Sequence, residues 1–190
     1  VPPNQMGELL VRPKIPWIMN VGYNEMLDKT AESLRNAWYH TGDGLKMDDD
    51  GYFYFIDRVK DALRRRGENI SSFEVEKVIN DHPDVAESAV VAVKSEYRGG
   101  EDEVKACVVL KPGAELSPEK LLDWCEDRMP YFAVPRYLEF IHALPKTPTE
   151  KVRKGELRDY GVTSNTWDRV QAGYKLKEEL KRLERKKKAE

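Results

Sequence analysis

The sequence predicts an α+β protein: a β-rich opening segment, a β-hairpin, then a three-stranded sheet with flanking helices. Three observations carry this expectation. Up to Ile56 the apolar runs are short and separated by breakers, among them Pro16, Gly22 and Asn24. Around Asp48-Asp49-Asp50-Gly51, apolar and aromatic residues flank a strong turn signal. From Ala62 onward the pattern runs strand, helix, strand, strand, helix, strand, over roughly a hundred residues, a usual domain size.

Gly7 to Arg12 (GELLVR) suits a first strand, and Thr30 to Arg35 a short helix. Leu45 and Met47 lead into the aspartate turn, and Tyr52 to Ile56 lead out of it. A second hairpin is expected from Ala62 to Ile70, turning at Gly67-Glu68-Asn69. Ser71 or Ser72 then caps a helix, with Glu74 and Glu76 in its first turn and Phe73, Val75, Val78 and Ile79 on one side. Asp81-His82-Pro83 ends it. Val85 to Val93 and Val104 to Leu110 read as adjacent strands of one sheet. Ser117-Pro118 opens another helix with a cap and an N1 proline, and Tyr137 to Ile141 is the third strand.

The segment before residue 58 has too few apolar residues for an independent core and reads as the trailing piece of a larger domain, with exposed apolar edges. Residues 58–162 form the compact unit. Residues 163–190 read as a charged helical tail, locally basic with nine Lys or Arg against five Asp or Glu from Trp167 to Glu190.

Bulk properties exclude several classes. Charged residues make up 35% of the 190, hydrophobic ones 40%, and the net charge is -2. That balance gives no global attraction to nucleic acid or to an anionic membrane. No apolar run reaches the length of a membrane span, and VPPNQMGELL lacks the pattern of a signal peptide. A start at Val1 is expected for a piece of a longer protein. Cys107 and Cys125 have no metal or redox spacing, which fits buried thiols in a reducing cytoplasm.

Four stretches carry candidate chemistry. In WYHTGD (Trp38 to Asp43) the Asp43 carboxylate can accept two hydrogen bonds, as gripping a vicinal diol requires; the alternative is an aspartate satisfying its own turn. His40 reads as structural. Arg58 and Lys60 follow in IDRVKD. Arg64, Arg65 and Arg66 precede Gly67 and Glu68, with Arg64 and Arg66 on one hairpin face and Arg65 on the other. Finally, LPKTPTEKVRKGEL puts Lys151 in a polar, turn-prone stretch. Taken singly, each of these cations is an ordinary surface group.

Taken together, WYHTGD, DRVKDALRRRGENIS and PKTPTEK resemble the end of acyl-adenylate-forming enzymes of the acyl-CoA synthetase type. HPDVAESAVV and PYFAVPRYLEF fit the same likeness, which extends from GELLVR to GELRDY. The TPTEK wording is similar to the carnitine/crotonobetaine–CoA ligase branch. The likeness implies that the compact unit is a mobile C-terminal lid on a large N-terminal adenylation domain. It implies that Asp43 holds the ribose hydroxyls of ATP and of the acyl-adenylate, that Arg58 assists on the nucleotide, and that Lys60 is the hinge. Arg64, Arg66, Gly67 and Glu68 would line the coenzyme A channel, and Lys151 would be the catalytic lysine of adenylate formation.

Two positions depart from the pattern P-K-T-x-x-G-K-x-x-R: Glu150 replaces the usual glycine, and Lys154 stands where arginine is common, with Arg153 able to share its part. ATP, Mg²⁺, coenzyme A and a small-molecule carboxylate are the implied ligands. The triphosphate loop, the acyl pocket and the Mg²⁺ ligand would lie in the large domain, so the chain alone is expected to bind none of them stably and to be inactive. Two other readings stay open: an adenylation domain that loads a carrier protein, and a stand-alone binding module using its basic tail.

Overall fold

The computed structural model describes residues 1–65, 67–94 and 102–181. They belong to two compact units, Val1–Lys60 and Asp61–Glu190. No described helix is long and apolar enough to cross a membrane.

The first unit is a three-stranded antiparallel sheet in the order β1-β2-β3, made of Gly7–Val11, Tyr39–Met47 and Phe53–Arg58. Helix α1, Leu27–Ser33, starts and ends slightly before the expected Thr30–Arg35. The aspartate turn joins β2 to β3: Asp48 Oδ1 accepts the amides of Asp50 and Tyr52, which folds the chain back without help from elsewhere. Phe53, Tyr54 and Phe55 are exposed.

Thr41-Gly42-Asp43 belongs to β2 and does not form the separate turn that was one reading of its sequence. Glu8 pairs with Gly44 and Leu10 with His40, so the three residues Thr41 to Asp43 stand against Leu9 alone. This is a bulge, and such extra residues bend a strand and re-aim its side chains. Gly42 takes φ 73°, and its position in the bulge makes glycine the natural residue there.

The second unit opens with a hairpin of β4 (Leu63–Arg65) and β5 (Glu68–Ile70). Arg65 pairs with Glu68, so the chain reverses before Glu68 rather than at Gly67-Glu68-Asn69, with Gly67 at φ 81°. Arg66 lies outside the described residues. A four-stranded sheet follows in the order β6-β7-β8-β9: Val85–Lys94, Asp102–Leu110, Tyr137–Phe140 and Trp167–Asp168. The three expected strands thus gain a short fourth. β6 and β7 are antiparallel, whereas β7 and β8 are parallel, which obliges a crossover, and helix α3 (Pro118–Glu126) lies within it.

The caps expected from the sequence are present. Ser71 Oγ accepts the Glu74 amide at the start of α2 (Ser72–Asn80), and Ser117 Oγ accepts that of Lys120 at the start of α3. The core-facing stripe of α2 is Ser72, Val75 and Ile79; Phe73, one step off that stripe, is exposed. Val75, Ile79, Leu121, Leu122 and Cys125 pack with Val90, Val104, Ala106, Val108 and Leu138. A second cluster holds Ala89, Val91, Val93, Cys107, Tyr137, Leu144 and Leu157. Alternate residues of β6 and β7 enter different clusters, which is why these strands read as continuous apolar runs. Burial raises the thiol of Cys107 to about 11 and that of Cys125 to about 12.

Helix α4, Lys154–Tyr160, closes the stretch read as turn-prone. Residues 163–181 do not form a separate tail. Trp167–Asp168 joins the sheet as β9 beside β8, and Leu176 is 1% exposed in the first core cluster, against which Trp167 also packs. The rest of the basic run, 182–190, lies outside the described residues.

Candidate functional site

In the first unit the bulge sets the direction of Asp43. Glu8 Oε1 accepts the Gly42 amide at 3.1 Å, and Glu8 Oε2 lies 2.8 Å from His40 Nδ1. Thr41 Oγ1 donates to the Leu9 carbonyl and accepts the Asp43 amide. Partial burial opposes ionisation of Glu8, but the bonds from His40 and Gly42, with the charges of His40 and Arg35, outweigh it and lower the pKa. His40 is therefore a bracket for the backbone.

Asp43 and Arg58 are directly opposite across β2 and β3, with Nε 3.0 Å from Oδ1. Arg58 also donates to the Thr41 carbonyl at 3.2 Å. A partly open carboxylate held by one guanidinium keeps lone pairs available for hydroxyl donors. Lys60 is the last residue of this unit; its Nζ lies 3.5 Å from Glu32 on an exposed surface.

In the second unit the hairpin arginines separate. Arg64 is exposed, as are Gly67 and Glu68, and a Cβ added at Gly67 would meet nothing within 4 Å. Arg65 is instead buried. It pairs with Glu103 at 2.9 Å and donates to the carbonyls of Phe132 and Val134, both at 3.0 Å.

Lys151 sits on a turn shaped by its own backbone. Thr147 donates its amide to the Lys151 carbonyl at 2.8 Å, and Thr147 Oγ1 accepts the Lys151 amide at 3.1 Å. Lys146 and Val152 form a bridge, and the Arg153 amide reaches Pro145. Glu150 takes φ 60°, the left-handed conformation that glycine adopts most readily, and so occupies the position where the resembled pattern carries glycine. Around this turn the cations are engaged: Lys146 with Glu87 at 2.8 Å, Arg153 with Glu156 at 2.8 Å, Lys154 with Glu76 at 2.7 Å. The Lys151 ammonium is exposed, with no ion pair or hydrogen bond among the described residues.

Residues 74–151 match the family model of the AMP-binding enzyme C-terminal domain, and the match ends on Lys151 itself. Residues 74–151 are thus an AMP-binding enzyme C-terminal domain. Relatives of this domain include a crotonobetaine/carnitine–CoA ligase of Salmonella arizonae, 36% identical over 83% of this chain and 30% of its own length. A fatty acid–[acyl-carrier-protein] ligase of Streptomyces coeruleorubidus is 42% identical over 84% of this chain and 30% of its own. The o-succinylbenzoate coenzyme A synthetase of Bacillus subtilis, solved in complex with AMP, superposes with a TM-score of 0.68 at 28% identity, covering 85% of this chain and 32% of that one. The chain thus spans about three tenths of the length of the curated relatives it matches.

Sequence reasoning missed several buried charges of the second unit. Lys105, 1% exposed, pairs with Glu139 at 2.6 Å. Arg136 meets Asp168 through Nε at 3.2 Å and Nη2 at 2.9 Å. A charged residue alternating within an apolar strand was the available signal for Lys105, but its partner is thirty-four positions away (139 − 105). Among the described residues no three His, Cys, Asp or Glu side chains converge as metal ligands.

Proposed function

We propose that the chain is the C-terminal part of an ATP-dependent carboxylate–CoA ligase, acting with a large adenylation domain. One observation carries the reading: Lys151 is the exposed, uncommitted ammonium of a hydrogen-bonded turn whose neighbouring cations are engaged. In the first half-reaction a carboxylate oxygen attacks the α-phosphorus of ATP. The bond to pyrophosphate breaks as the acyl-adenylate forms. Two anions converge there, and an ammonium brought into a water-poor site offsets their repulsion where it counts most. Asp43 accepts hydrogen bonds from the ribose hydroxyls, and Arg58 orients that carboxylate. Rotation at Lys60 then withdraws Lys151 and presents the β4–β5 hairpin, where Arg64, Gly67 and Glu68 border the path of coenzyme A. The thiol sulfur attacks the acyl carbonyl, its proton leaves to solvent, and the bond to AMP breaks.

In the enzyme joined to its large domain, Lys151→Ala should slow adenylate formation by about a hundredfold or more. Thioester formation from supplied acyl-adenylate should stay near wild type. Equal loss in both half-reactions overturns the assignment. The likeness to a carrier-protein ligase favours a second reading, loading of a phosphopantetheine carrier. Competition between free coenzyme A and holo carrier protein for the acyl-adenylate decides between the two acceptors.

A further inference from the structure

Both ends of the turn that carries Lys151 are tied down by ion pairs. At one end Lys146 meets Glu87 of β6 through side chains about a third exposed, 31% and 33%. At the other, Lys154 is better shielded: its side chain is 16% exposed and that of Glu76 14%. Lys154 Nζ lies 2.7 Å from Glu76 Oε1 and donates to Ser72 Oγ, also at 2.7 Å. The same Glu76 oxygen accepts the amide of Val90 at 2.7 Å. One carboxylate oxygen therefore joins α2, β6 and the first residue of α4.

We propose that Lys154 is a positioning residue: through Glu76 and Ser72 it fixes the direction in which the neighbouring turn presents the Lys151 ammonium. The proposal rests on the function given above. Hydrogen bonds inside the turn set its shape, but in an exposed loop they open readily unless its ends are held, and they leave its tilt against α2 and β6 undetermined. Pairs between exposed side chains, such as Arg153 with Glu156, hold tilt weakly, because water screens them. A charge-assisted bond with little solvent access, satisfied on both partners, holds it firmly. Lys154 is three residues from Lys151, so a small shift at the anchor becomes a displacement of the ammonium.

Lys154→Met and Lys154→Arg test this at two levels. In the chain itself, Met should speed amide exchange at Thr147 and Lys151 by about tenfold, and Arg, which keeps the charge and donors, should restore protection. In the enzyme joined to its large domain, Met should lower kcat for adenylate formation by about ten- to a hundredfold, with KM for ATP unchanged. Thioester formation from supplied adenylate should be untouched, and Arg should recover most of the rate. A folded Met variant with wild-type exchange and wild-type adenylation overturns the proposal, and so does equal loss in both half-reactions. Should the Met variant fail to fold, Ser72→Ala replaces it: removing that acceptor should give a smaller loss of the same kind, and none overturns the proposal. Full adenylation by Lys151→Ala would defeat the functional reading itself, whereas loss there beside an unaffected Lys154→Met defeats only the positioning role.

Discussion

Arg65 of the hairpin and Glu103 of the central strand β7 face each other at 2.9 Å, with the Arg65 side chain only 3% exposed. Two backbone carbonyls, of Phe132 and Val134, take up further donors of the same guanidinium. Although Arg64 and Arg65 are adjacent and chemically identical, one is a solvated group and the other fastens the hairpin to the sheet.

Truncating them should therefore give opposite results. Arg65→Met leaves the shielded Glu103 carboxylate with only the longer contact to Arg136, 3.8 Å, and should cost about 3 kcal/mol. Arg64→Ala should stay within about 0.5 kcal/mol. Urea midpoints of both variants check this; similar midpoints would mean that Arg65 anchors nothing.

Glu150 holds a left-handed backbone without being glycine. Its contact with Lys146, at 3.6 Å, is too exposed to compensate. Glu150→Gly should raise stability by about 0.5–1 kcal/mol, the relief of backbone strain being partly offset by a more flexible unfolded chain. A lower denaturation midpoint in the glycine variant would contradict this.

Acid should weaken the fold in two stages. Burial lowers the pKa of His82 below its ordinary 6.5, against the pull of Asp84, and its Nδ1 accepts the Asp84 amide. Its contribution is present above pH 6.5 and is lost as pH falls through the lowered value. Burial opposes ionisation of Glu139 and Asp168, but Lys105 with Thr166 and Thr163 outweighs it at the first, and Arg136 with the Val170 amide at the second. Both titrate below their ordinary 4.5 and 3.8, so what they contribute is present above those values and disappears beneath them. His82→Asn should abolish the first stage and spare the second when denaturant midpoints are followed down the acid range.

Features fixed by neighbours in the chain were legible from residues alone. The caps at Ser71 and Ser117, the aspartate turn and the apolar runs of β6 and β7 depend on local chemistry or on burial of alternate side chains in both clusters. The Thr41–Asp43 bulge was not, because it forms only against β1 and needs the Glu8 carboxylate, thirty-four positions before Gly42. The fates of Arg65, Lys105 and Arg136 were hidden for the same reason: each is decided by a partner in another element. Lys151 was singled out through its motif, whereas the ion pairs that engage Lys146 and Lys154 were hidden because Glu87 and Glu76 lie in other elements.

The closing strand β9 bears on how this domain can be cut. Trimmed at the end of the family match, residue 151, the polypeptide would lose Asp168, and β8 would become a bare rim with unclaimed amides and carbonyls. Arg136 would keep its positive charge beside Glu103 but forfeit its two-pronged clasp. Such a truncated species should self-associate through that rim, so a well-behaved excised domain has to run past Leu176.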